Sequence, residues 1–183
     1  MLWIALIVNA SMFVVELAAG HRAASASLLA DAVDFLGDAA NYAVSLFVLS
    51  LAAIWRSRTA LAKGITMGLY GFFVLGRVAW GVVQGAMPHA TTMGVIGLLA
   101  LAANVAVAVM LYAYREGDAN MRSVWLCSRN DAIGNVEVMA AALAVAMTSS
   151  MWPDLLVAIA MSVLALSASR AVVTQARREM STA

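Results

Sequence analysis

The sequence predicts an all-α polytopic membrane protein, a bundle of six transmembrane helices with both termini in the cytoplasm. Three observations carry this expectation. Of 183 residues, 64% are hydrophobic and 11% charged, with a mean hydropathy of +0.90, too apolar a balance for the surface of a water-soluble domain. The apolar residues gather into six runs, each near or above the roughly 20 residues that cross a hydrocarbon core. Lysine and arginine collect in alternate connections.

The first run, residues 2–20, lacks a basic leader, carries Glu16 and precedes no small-residue cleavage motif, so it reads as a span rather than a signal peptide. The second, 28–54, holds a stripe of acids. The third, 61–87, contains Gly64, Gly68, Gly71, Gly76, Gly81 and Gly85, with small-xxx-small pairs that permit close helix packing either within the bundle or between protomers. The fourth, fifth and sixth cover 90–114, 121–149 and 152–175, with Pro88 and Pro153 at breaks in the apolar pattern.

Arg56, Arg58 and Lys63 flank the second connection, Arg115 and Arg122 the fourth, and Arg170, Arg177 and Arg178 the C-terminal end, whereas the odd-numbered connections offer only Arg22. The positive-inside rule puts the basic side in the cytoplasm, and the chain is expected as a multi-pass protein of the cell (inner) membrane. Residues 1–183 form one transmembrane domain in this reading, with no C-terminal cytosolic domain. A net charge of +1, with the basic residues used as membrane anchors, speaks against nucleic acid as a partner. One cysteine, Cys127, excludes an intrachain disulfide. The 12 methionines are scattered as core or lipid-facing filler.

Within the spans lie Glu16, Asp31, Asp34, Asp38, Arg77, Arg129, Asp131 and Glu137. Ionisable groups at such depth are costly and functional by default. Asp31, Asp34, Asp38, Asn41 and Ser45 follow one another at spacings of 3, 4, 3 and 4, a single stripe along the second helix. Cys127, Asp131 and Asn135 repeat the theme on the fifth helix in steps of 4. The second span enters from outside near Leu28 and the fifth from the cytoplasm near Met121, so Asp38 and Asp131 each lie 10 residues in, about 15 Å at helical rise. Asp34, Asp38, Cys127 and Asp131 thus meet at a common level, an oxygen and sulfur donor set suited to a tetrahedral divalent ion. Asp31, Asn41 and Asn135 are accessory polar candidates.

Interhelical hydrogen bonding alone accounts as well for Asn41, Ser45 or Asn135, and Cys127 by itself is as readily a small buried hydrophobe. It does not account for Asp34 with Asp38, like charges about 6 Å apart that must share a cation, share a proton or stay neutral. Glu16 and Arg77, on two spans that both run outward, are expected to form a structural ion pair. Arg129 either neutralises Asp31 or Glu16 when the site is empty or snorkels to the cytoplasmic headgroups. Glu137, about 600° around the helix from Asp131, is left outside the site.

The run Ser27-Leu-Leu-Ala-Asp31-Ala-Val-Asp34-Phe-Leu-Gly-Asp38 resembles the second-helix signature of the cation diffusion facilitator family, and Cys127-Ser-Arg-Asn-Asp131-Ala resembles its fifth-helix partner. The resemblance extends over essentially the whole chain. It implies export of a divalent metal, usually zinc-like, from the cytoplasm in exchange for protons, by alternating access about a site between the second and fifth helices. Asp34, Asp38 and Asp131 match the family's ligand positions, while Cys127 stands where histidine is common and tilts the preference toward Zn2+ or Cd2+. These ions are the transported substrate, and no prosthetic group is expected. The family's usual C-terminal cytosolic domain and histidine-rich fourth connection are missing, so a homodimer is expected to be held by the membrane helices.

Metal binding requires deprotonated ligands, so release accompanied by proton uptake follows from the donor set itself. The rival reading is an enzyme, a membrane-embedded, Mg2+-dependent phosphoalcohol or prenyl transferase, which also uses closely spaced aspartates. That class places its acids near the cytoplasmic surface beside basic residues for a diphosphate, and here no Arg or Lys occupies the two turns after Asp38. An inert scaffold is disfavoured by the cost of burying so many carboxylates without use.

Overall fold

The computed structural model describes residues 1–48, 53–114 and 119–182, with the side chains of 45, 48, 53, 54, 56, 114, 119–130 and 182 outside that description. The described residues are helical throughout, joined by short turns. In order they form α1 (Leu2–Arg22), α2 (Ala26–Ala43), a π-helical turn (Val44–Val48), α3 (Ala53–Gln84), α4 (Ala90–Leu111), a 3-10 turn (Tyr112–Tyr114), α5 (Ala119–Thr148) and α6 (Trp152–Thr182). Five helices are long and apolar enough to cross a membrane, over Leu2–Arg22, Ser57–Gln84, Ala90–Leu111, Asp131–Thr148 and Trp152–Ser181. The acids of α2 keep it from that group. Trp3, Ile7, Val14, Leu69, Phe72, Val83, Leu98, Val109, Leu143 and Leu164 project outward from the bundle, an apolar coat suited to lipid tails.

Two helices outrun their expected spans. α3 begins at Ala53 rather than near 61, and α6 continues to Thr182 rather than ending near 175. Arg56, Arg58, Lys63, Arg177, Arg178 and Glu179 are good helix formers, so charge that ends an apolar run does not end the helix. The two extensions are joined by Ser57 Oγ, which donates to Glu179 Oε2 at 2.9 Å, while Gln175 Nε2 donates to Glu179 Oε1 at 2.9 Å.

The helices pack most closely in the pairs α1 with α2, α3 with α6 and α4 with α5. The glycines of α3 find their use inside the chain. A Cβ at Gly68 would lie 2.6 Å from Ser169 Oγ, one at Gly64 2.8 Å from Val173 Cγ2, and one at Gly71 3.2 Å from Leu166. Ser169 Oγ donates to the Gly64 carbonyl at 2.6 Å across this seam. Gly76 has nothing within 4 Å and takes no part in it.

The connections between α1 and α2, α3 and α4, and α5 and α6 share one end of the bundle. They are tight: Ala24 and Ser149 adopt φ values of 52° and 49°. The Ser25 hydroxyl caps α2 by accepting from Leu28 N at 3.2 Å. Asp154, fully buried in the first turn of α6, accepts from Ser25 Oγ at 2.7 Å, Ala26 N at 2.7 Å, Ser27 N at 3.0 Å and Ser27 Oγ at 2.6 Å. A carboxylate thereby meets the free amides and positive dipole end of α2 and fixes that helix to α6. His89 N donates to the Ala23 carbonyl at 2.9 Å, tying the third connection to the first.

Candidate functional site

The acidic stripe of α2 faces α1 on one side and α5 on the other. Gly20 packs on Leu29, Met12 clusters with Phe35, and Ala5 clusters with Tyr42, an antiparallel register that runs the length of both helices. It sets Glu16 opposite Asp31 and brings Asn9 to the level of Asp38. Asn9 is 1% exposed, and its Oδ1 has no hydrogen-bond partner.

Asp38, 6% exposed, lies within hydrogen-bonding reach of Asp131 on α5. Two helices that run in opposite directions therefore bring carboxyls into contact from positions 93 residues apart, counted from 38 to 131. Around Asp38, Tyr42 Oη stands at 3.5 Å from Oδ2, Asn41 lies within reach, and Lys63 is the neighbouring cation. The Lys63 ammonium also donates to Asn41 Oδ1. Asp34, one turn before Asp38, lines a cavity of about 410 Å³ with Asp131, Glu137, Gly134, Met67 and Met161. Glu137, set aside on its rotation about the α5 axis, faces this same cavity, because the space spans α5 and α6 rather than following one helical face.

Asp31 is engaged elsewhere. Its Oδ2 accepts from Asn135 Nδ2 at 2.7 Å, and Asn135 Oδ1 accepts from Asn104 Nδ2 of α4 at 2.9 Å. Its carboxyl also lies within hydrogen-bonding reach of Glu16. The expected pairing of Glu16 with Arg77 is corrected here. Glu16 is fully buried against Asp31, while Arg77 lines a separate cavity of about 310 Å³ with Trp80, Gln84 and Leu155. Both helices run in the same direction, which allowed the pairing, but α1 lies along α2 and α3 along α6, which prevents it.

The side chains of Cys127 and Arg129 lie outside the described residues, as does that of Ser45. Among the described residues no three histidine, cysteine, aspartate or glutamate side chains are grouped closely enough to hold one ion. The acids are arranged instead as two contacting pairs, Asp38 with Asp131 and Glu16 with Asp31, with Asp34 between them along α2.

The sequence reasoning passed over Asn9, Asn104 and Asp154. Asn9 and Glu16 are seven residues apart and so share a face of α1, a signal present in the chain. Asn104 is a lone amide in the apolar run of α4, and Asp154 sits at a span edge where an acid attracts no notice.

Comparison with curated proteins gives no match. A family model described as the cation efflux transmembrane domain matches residues 2–181, nearly the full length, including both acidic signatures. With six helices, an apolar exterior and facing acids on α2 and α5, the chain belongs to the cation efflux family, a family of membrane transporters for metal cations.

Proposed function

We propose that the protein exports a divalent cation of the zinc or cadmium type from the cytoplasm in exchange for protons, with Asp34, Asp38, Asp131 and Cys127 as the ligands. The observation that carries this reading is the contact of Asp38 with Asp131 beside a cavity that Asp34 also lines. Two acids from oppositely directed helices, with a third one turn away, have no structural use that a neutral pair would not serve better. Three carboxylates with one thiolate favour a borderline-soft dication over Mg2+. Membership in a transporter family removes the ground for the transferase alternative.

The mechanism follows from charge and geometry. A dication entering from the cytoplasmic side displaces the proton between Asp38 and Asp131, since metal ligands must be deprotonated. Asp34 closes in across the cavity. A change in the angle between α2 and α5 then opens the ligands to the other face, where protons replace the ion. The six helices act as six spans with both termini cytoplasmic in the cell membrane, and a homodimer would form through membrane helices.

Equilibrium binding of Cd2+, Zn2+ and Mg2+ to the purified protein tests the site. Wild type is expected to bind Cd2+ and Zn2+ in preference to Mg2+. Asp38→Ala should weaken Cd2+ binding by more than about 100-fold, beyond the loss typical of an outer partner of a ligand. An Asp38→Ala protein that folds and binds Cd2+ as wild type does would end the assignment.

A further inference from the structure

We propose that Glu16 and Asp31 form a second proton-binding pair, distinct from the cation ligands, that serves as a further proton station of the transporter. This rests on the cation–proton exchange proposed above. Glu16 is 0% and Asp31 1% exposed, and their carboxyls lie within hydrogen-bonding reach. Among the described residues neither oxygen of Glu16 receives a donor. Asp31 Oδ2 is satisfied by the Asn135 amide at 2.7 Å, and Asn135 is itself held by Asn104 at 2.9 Å, so among the described residues this amide chain brings the pair one donor. Two buried carboxyls with one external donor close their contact only through a proton between them, Glu16 O–H···O Asp31 or its reverse.

Among the described residues nothing else balances the charge of the pair. The titratable groups among the described residues that act on the pair are acids, Asp34 on α2 and Asp131 on α5. α4 contributes the neutral Asn104, and no described basic side chain reaches either carboxyl. A proton needs only the two oxygens that are there.

Position gives the pair its role. Asp34 stands one turn from Asp31 and one turn from Asp38, between the proton pair and the cation ligands. Binding of one proton makes one O–H bond, breaks none, and removes one negative charge from the end of this row. The ligands then hold a dication less tightly, and by reciprocity a bound dication favours departure of the proton. The pair also spans a joint of the bundle, since Glu16 and Asp31 lie on α1 and α2 while Asn135 and Asn104 lie on α5 and α4.

The test uses the full chain, in detergent for spectroscopy and in lipid vesicles for transport. In wild type the infrared C=O stretch of protonated, dehydrated carboxyls is expected, and the component due to the pair should persist in Asp38→Ala and vanish in Glu16→Gln. Glu16→Gln, which carries the charge of the singly protonated pair, should bind Cd2+ within about twofold of wild type at a pH where the pair holds its proton, and with a weaker dependence on pH. It should carry Cd2+ down a concentration gradient while being accelerated less than wild type by a pH gradient, and Glu16→Asp should restore that acceleration. An unchanged carboxyl band in Glu16→Gln, or uptake still driven by a pH gradient at the wild-type rate, would overturn the proposal. So would loss of Cd2+ binding in Glu16→Gln, which would make Glu16 a cation ligand or a structural residue. If wild type itself binds no Cd2+, the exchanger reading fails, and the infrared band still decides whether the pair holds a proton.

Discussion

Asp38 and Asp154 are both buried aspartates, 6% and 0% exposed, with opposite surroundings. Asp154 receives four hydrogen bonds from the start of α2 and is complete as an anion. Asp38 meets another acid, a phenol at 3.5 Å and a lysine that it shares with Asn41. Satisfaction of the first marks a structural part, and competition at the second marks a place where an incoming charge changes the balance. Asp154→Ala would leave the amides of Ala26 and Ser27 without partners and should lower stability by about 3 kcal/mol, as judged from the usual cost of orphaned buried donors. Denaturant titration in detergent measures this, and Asp154→Asn, which keeps one acceptor oxygen, should lose less.

At the scale of elements, the seam between α3 and α6 depends on missing side chains. Gly68→Val would drive carbon into Ser169 Oγ, 2.6 Å from where a Cβ begins, and should destabilise the protein by about 1–3 kcal/mol. Gly76→Ala faces open space and should be neutral or stabilising by up to ~1 kcal/mol, because glycine is the poorer helix former. Thermal unfolding of the two variants side by side separates packing from propensity. The sequence made the six helices legible through hydropathy and charge, and it made the acids of α2 legible through their spacing. Period alone cannot say which helix lies beside which, so the glycine stripe stayed open between two uses and Glu16 was matched to a residue of the wrong neighbour. Helix ends were misjudged for a related reason: hydropathy reports the limits of the bilayer, whereas backbone hydrogen bonding carries α3 and α6 beyond them.

For the molecule as a whole, the proposed exchange has a direction and a cost. Moving a dication outward against 100 mV, inside negative, requires about 4.6 kcal/mol, which protons moving inward offset. In vesicles whose transporters present their cytoplasmic face outward, Cd2+ uptake should therefore be accompanied by a rise in luminal pH. Making the lumen acid beforehand should accelerate uptake. A pH-sensitive dye in the lumen reads both effects, and uptake that leaves luminal pH unchanged would count against exchange.

The buried carboxylate at the head of α6 has a mechanical consequence. Because it bolts the start of α2 to α6, and α6 is zipped to α3 along the glycine seam, in the proposed exchange these three helices would move as one jaw carrying Asp34 and Asp38. α4 and α5, packed along each other, form the opposing jaw with Asp131. Under the proposed exchange the grip on an ion would be set by the angle between these two plates, and no helix would have to unwind for the cargo to be let go.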